Sequence, residues 1–198
     1  MKGYNILFLG SSVTYGSASG GYSFADHLAK TNGASMYKEA VSGTTLADGK
    51  NSYIFRLEAI DTSKKFDLAV CQLSTNDATL KKPLGNVSLT EAPDRSTVCG
   101  AIEYIINYIR NVWGCPVVFY TNSYYDNANY AAMVEEMKKI SELYNVGLID
   151  LYCDTEFNNI TAEERKKYMA DNIHPTKSGY IEWWTPKIER FLYEYLGL

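Results

Sequence analysis

The segment Asn5-Ile-Leu-Phe-Leu-Gly-Ser-Ser-Val-Thr-Tyr-Gly16 passes from a continuous apolar run into a polar turn bracketed by glycines. Residues 6–9 are apolar without alternation, the pattern of a strand covered on both faces in a parallel sheet. Gly10 and Gly16 mark a tight turn where the backbone approaches another group closely. In an open α/β sheet, ligands bind beyond the carboxyl ends of the strands. A serine there stands in a cleft with backbone N–H groups around it, the setting of a nucleophile. Ser11 and Ser12 also read as residues that cap a helix or close a turn. This stretch alone leaves both readings open.

Further strand-like runs follow at residues 36–41, 68–73, 117–120 and 146–151. Between them lie segments of helical character. One short helix holds Phe24 and Leu28 and stops at Asn32-Gly33. Another covers 53–60. Residues 98–112 carry Ile102, Ile105, Ile106 and Ile109 at helical spacing, with Gly114 and Pro116 as stop signals. Residues 129–143 turn Met133, Met137 and Ile140 inward. A helix over 162–168 and a final segment over 176–196, with Trp183, Trp184, Ile188, Phe191 and Leu196, complete the series. Strands alternating with helices make βαβ units and a parallel, doubly wound sheet. Residues 78–94, polar and containing Pro83, Gly85 and Pro93, read as a long surface loop that could wall a substrate site.

The chain of 198 residues, 46% hydrophobic and 21% charged, suits one globular domain with a sizeable core. A net charge of -4 argues against a nucleic-acid partner. No apolar run approaches the roughly 18 residues of a membrane span. The apolar run behind Lys2 is too short for a signal peptide, so a cytoplasmic protein is expected. The four cysteines, Cys71, Cys99, Cys115 and Cys153, include no Cys-x-x-Cys pair, and three of them lie in or beside apolar, strand-like runs. Buried free thiols, and a reducing compartment, are expected.

Three further turns carry polar chemistry. Ser42-Gly43-Thr44-Thr45 follows the second strand, and Gly43 can present its backbone N–H towards the first turn. Ser74-Thr75-Asn76-Asp77 follows the third, where the Asn76 amide can point at a developing negative charge or cap an Asx turn. Asp171-Asn-Ile-His174-Pro175 precedes the last helix. Pro175 holds His174 extended. Asp171 can fold back to accept the ring Nδ1–H, leaving Nε2 free as a base. His27, inside the short helix that stops at Asn32-Gly33, reads as a helix-surface or capping histidine. Substrate contact is expected from Ser11, Tyr15, Ser74, Asp77 and Tyr124, and Tyr124-Tyr125 could stack on a sugar.

The ordered set of four blocks resembles the SGNH hydrolases, also called the GDSL esterase/lipase family. The family's Gly-Asp-Ser-x-x-x-Gly appears as Gly10-Ser11-Ser12-Val-Thr-Tyr-Gly16, its Gly-x-Asn-Asp as Ser74-Thr-Asn-Asp77, and Asp-x-x-His-Pro is intact at 171–175. Ser11 and Ser74 are departures from the pattern. The resemblance implies a three-layer α/β/α, flavodoxin-like fold with a parallel five-stranded sheet. It implies ester hydrolysis with Ser12 as nucleophile, His174 as base and Asp171 orienting it. The oxyanion would be held by the Ser12 and Gly43 N–H groups and the Asn76 amide. The expected partner is a small-molecule ester, with short acyl groups, acetyl esters of carbohydrates among them, ahead of lysophospholipids and thioesters. No cofactor and no metal is called for. A weakly catalytic binding relative and a flavin-binding protein are the competing readings. The Gly-x-Ser-x-Gly elbow of α/β-hydrolases is absent.

Overall fold

The apolar run at the head of the chain forms β1 (Asn5–Gly10), buried from Ile6 onward. The computed structural model describes residues 1–89 and 92–198. β1 pairs in parallel with β2 (Ser35–Ala40) on one side and β3 (Leu68–Gln72) on the other. β4 (Val117–Tyr120) and β5 (Gly147–Ile149) extend the sheet, also in parallel, giving the order β2-β1-β3-β4-β5. This is the flavodoxin-like order, whose switch point lies between β1 and β3.

Strand residues alternate between two buried clusters, as a period of two requires. Leu7, Leu9, Ala69, Cys71, Val117 and Phe119 join the cluster that includes α3 (Tyr53–Glu58), α5 (Val98–Trp113) and α6 (Ala128–Tyr144). Ile6, Phe8, Leu68, Val70, Val118 and Tyr120 join the cluster that includes α2 (Phe24–Asn32) and α8 (Thr185–Leu196). Helices therefore cover both faces of the sheet, which makes the three layers expected from the sequence. Ile102, Ile105, Ile106 and Ile109 are all buried along α5. Between α2 and the sheet, Phe24 meets Phe8 and Tyr120 edge-on at 5.9 and 4.9 Å.

Some boundaries differ from those expected. β2 is an edge strand with no fully buried residue, and it starts and ends one position early. β5 is short, because Leu151 N–H turns back to Ile149 O. A short helix, α4 (Thr75–Thr79), begins inside the Ser-Thr-Asn-Asp turn and takes the start of the long loop. Further along that loop, Ser88 and Leu89 donate their N–H groups to the buried Glu103 carboxylate on α5. Positions 90 and 91 of this expected loop lie outside the described residues. α7 (Ala162–Tyr168) matches its expected span. The last segment is not one regular helix. A π-helical turn (Gly179–Trp184) precedes α8, and both the N–H and the hydroxyl of Thr185 reach Tyr180 O. Pro186, in the first turn of α8, has no N–H to continue the earlier ladder.

Cys71, Cys99 and Cys115 are buried, Cys153 is exposed, and all four are free thiols, as read from the sequence. No helix among the described residues is long and apolar enough to cross a membrane.

Candidate active site

The first turn leaves β1 at Gly10 and enters α1 (Ser12–Tyr15), a single helical turn. Gly10 is required by space: a Cβ there would lie 1.7 Å from Thr14 Oγ1 and 2.8 Å from Gln72 Oε1. Gly16 is required by conformation, with φ +86°, and by the Tyr22 backbone 2.7 Å from where its Cβ would be. Between them Ser12 Oγ lies 2.8 Å from His174 Nε2. That contact joins residues 162 positions apart.

The histidine is held by its own loop. An antiparallel bridge pairs Met169 with Pro175, and Ala170 N–H donates to His174 O. Inside this closed turn Asp171 Oδ1 accepts the N–H groups of Ile173 and His174 at 2.7 and 2.8 Å. Its other oxygen, Oδ2, lies 2.8 Å from His174 Nδ1. Partial burial pushes the Asp171 carboxyl up, but the ring of His174 and the two backbone N–H groups outweigh this and hold it below the usual carboxylate range. A carboxylate at Nδ1 places the neutral ring's proton on Nδ1, so Nε2 faces Ser12 as an acceptor.

The second turn is the loop 43–47, which lies against α4 and α3. Gly43 has φ +80°. Asn76 Nδ2 donates to Thr44 O at 2.9 Å, which occupies one of its two protons. Asp77 accepts the N–H groups of Leu46 and Ala47 at 2.7 and 3.0 Å. Burial pushes the Asp77 carboxyl up, against the pull of those two hydrogen bonds. Among the described residues, the Ser12 and Gly43 N–H groups donate to no protein acceptor. Backbone donors without a partner are what an oxyanion site needs.

Three of the five residues expected to touch substrate are closed to it. Ser11, Ser74 and Asp77 are 0% exposed. Ser11 donates to Gln72, Ser74 caps α4 through Asn76 N–H, and Asp77 braces the glycine loop. They stand in or beside the polar turns that follow β1 and β3, but their side chains point into the protein. Tyr15 and Tyr124 remain exposed, at 44% and 49%. Tyr124 lies over Tyr152 at 5.2 Å, whereas Tyr125 is buried against Tyr130 at 5.0 Å and offers no face to a sugar. His27 bonds Tyr22 OH through Nδ1, as a helix-surface histidine. No cluster of three or more His, Cys, Asp or Glu side chains among the described residues could hold a metal ion.

Two buried side chains of this region went unread in the sequence. Gln72 ends β3 and bonds the first turn. Arg56 reaches from α3 to Gly10 O and Thr44 Oγ1, tying the first turn to the glycine loop. The available signals were a lone amide in the run Leu-Ala-Val-Cys-Gln-Leu, and a cation among the apolar residues of Tyr-Ile-Phe-Arg-Leu.

A model of the GDSL-like lipase/acylhydrolase family matches residues 8–180. The chain belongs to this family. Solved structures share the fold over nearly all of the chain. One is 27% identical with a TM-score of 0.82, covering 97% of each chain. A member of the lipolytic G-D-S-L family from Veillonella parvula is 16% identical, with a TM-score of 0.72, over 94% of this chain and 96% of that one. A family two carbohydrate esterase from Clostridium thermocellum, solved with cellohexaose, is 16% identical with a TM-score of 0.71, over 100% of this chain and 66% of that one. No curated protein matches the sequence.

Proposed function

We propose that this GDSL-family chain, acting as one domain over residues 1–198, hydrolyses carboxylic esters of short acyl groups through an acyl-enzyme. The observation that carries the reading is the unbroken chain from Ser12 Oγ to His174 Nε2, and from His174 Nδ1 to Asp171 Oδ2, at 2.8 Å for each link. His174 Nε2 takes the Ser12 proton as Oγ attacks the ester carbonyl, and it then gives that proton to the leaving alcohol. Asp171 keeps the proton of the neutral ring on Nδ1 and stabilises the imidazolium between those steps. The negative oxygen of the tetrahedral intermediate is held by the N–H groups of Ser12 and Gly43 and the second amide proton of Asn76. Water then attacks the acyl group, with His174 again as base, and Ser12 is released.

Acetylated carbohydrate is the alcohol side that two observations favour. The Clostridium thermocellum relative is a carbohydrate esterase solved with cellohexaose, and Tyr124 presents a half-exposed ring to solvent. A panel of p-nitrophenyl acetate, butyrate and octanoate, an acetylated oligosaccharide, a lysophospholipid and an acyl thioester tests this. Acetyl esters should turn over fastest, and Ser12→Ala should lower kcat by ~10⁴-fold or more. Preference for octanoate or lysophospholipid would overturn the short-acyl assignment. Full activity of Ser12→Ala would overturn the mechanism.

A further inference from the structure

Gln72 is the polar residue at the end of an otherwise apolar β3, and it is 1% exposed. Its Oε1 receives Ser11 N–H at 2.9 Å and Thr14 Oγ1 at 2.8 Å, with longer approaches from Ser11 Oγ and Thr14 N–H at 3.3 Å each. A carbonyl oxygen has two lone pairs, so the two short contacts are the principal bonds. They grip the chain on both sides of Ser12. Since Thr14 gives its hydroxyl proton to Gln72, the bond at 2.6 Å between Thr14 Oγ1 and Tyr120 OH is donated by the tyrosine. The turn is thereby tied to β3 and, through Tyr120, to β4.

The orientation of the amide is informative. Gln72 Nε2 is buried and has no partner among the described residues. Flipping the amide would set its NH₂ against the Ser11 and Thr14 donors, so the turn fixes which end faces it. A buried amide that leaves its own donors unpaired is destabilising, and an apolar side chain would pack in β3 without that cost. A helix of four residues such as α1 has almost no stability of its own. Its geometry has to come from tertiary bonds, and Gln72 supplies the central ones.

We propose that Gln72 is the positioning residue of the nucleophile turn, fixing where Ser12 Oγ stands relative to His174. The proposal rests on the serine-hydrolase reading and extends it to a residue outside the four sequence blocks. Gln72 touches neither substrate nor reacting atoms, so its removal acts on the placement of Ser12 and hence on kcat. An ångström of misplacement can lower a rate by about 10²-fold.

The test compares wild type, Gln72→Met, Thr14→Val and the double variant. The measurements are kcat and KM on p-nitrophenyl acetate and the rate of Ser12 labelling by a fluorophosphonate. Gln72→Met should lower kcat and labelling by about 10–100-fold with KM within threefold of wild type. Thr14→Val should lose about fivefold or more, and the double variant should be no worse than about threefold below Gln72→Met, since both remove one shared bond. Folded Gln72→Met that labels within threefold of wild type overturns the proposal. A loss confined to KM does so too. If Gln72→Met does not fold, Thr14→Val decides: labelling at the wild-type rate overturns the role. A separate readout keeps this claim apart from the hydrolase reading. If wild type neither labels nor cleaves esters, that reading fails, and a crystal structure of Gln72→Met then tests positioning alone. Ser12 Oγ moved out of hydrogen-bond reach of His174 Nε2 supports it, and an unchanged separation overturns it.

Discussion

Arg56→Lys should damage stability and turnover together. All five guanidinium protons are used: Nε to Asn51 O at 3.2 Å, Nη1 to Glu39 O and Oε1 at 2.9 and 3.1 Å, and Nη2 to Gly10 O and Thr44 Oγ1 at 2.8 and 3.1 Å. The side chain is almost wholly buried and its guanidinium lies 5.3 Å from the centre of the Tyr53 ring. An ammonium offers three donors from one point and cannot span four residues on separate segments. At least two bonds are lost, each worth about 1.5–3 kcal/mol when one partner is charged, for a ceiling of about 3–6 kcal/mol. Glu39 is partly open to water, which replaces some of the loss, so about 2–4 kcal/mol should remain. In a protein of this size that is a fall in Tm of roughly 4–16 °C. The lost bonds are shared among Glu39, Gly10 and Thr44, so kcat should fall by about tenfold as the two turns lose their common anchor. Differential scanning calorimetry and ester turnover on the same preparation measure both effects. A Tm within 2 °C of wild type, or turnover within twofold, would refute the anchoring argument.

Asn76→Ala should lower kcat by about 10²–10³-fold with little change in KM, because it removes a donor to the oxyanion; a loss under threefold would return Asn76 to holding Thr44 O. The pH profile of kcat/KM should show an acid limb that His174→Ala lacks, because a ring that already carries both protons cannot accept one from Ser12. Asp171 does not supply that limb. A carboxyl held below its ordinary range keeps its ionised contribution above the unfolded value and loses it only as pH falls through the lower folded one. A profile without an acid limb, or one whose limb persists in His174→Ala, would contradict a histidine base.

Local chemistry made much of this molecule readable before its coordinates. The unalternating run at Ile6–Leu9, the isoleucine spacing of α5 and the stop at Gly114 are short-range signals, and each element formed where expected. The Asp-x-x-His-Pro loop was readable for the same reason, since Asp171 and His174 meet within one turn. Strand order is a long-range property. The alternation of elements gave a parallel sheet, and only the family resemblance gave its flavodoxin-like arrangement. Side-chain direction was the weakest point. Asp77, Ser74 and Tyr125 stand where a substrate-facing residue could, yet each turns inward, because the glycine loop, the α4 cap and the tyrosine cluster need them there. Gln72 and Arg56 were invisible for a related reason. Their partners are far away in sequence, with Ser11 61 positions from Gln72 and Gly10 46 from Arg56. The π-helical turn before Pro186 likewise depends on Thr185 reaching back to Tyr180, within a segment whose periodicity reads as uninterrupted helix.

Covalent capture of the nucleophile tests the central claim most directly. Wild-type protein treated with a fluorophosphonate and digested for mass spectrometry should carry one adduct, on Ser12. Ser12→Ala should carry none, and His174→Ala should label at least about 100-fold more slowly. An adduct on any other residue, or labelling of Ser12 at full rate without His174, would contradict the account.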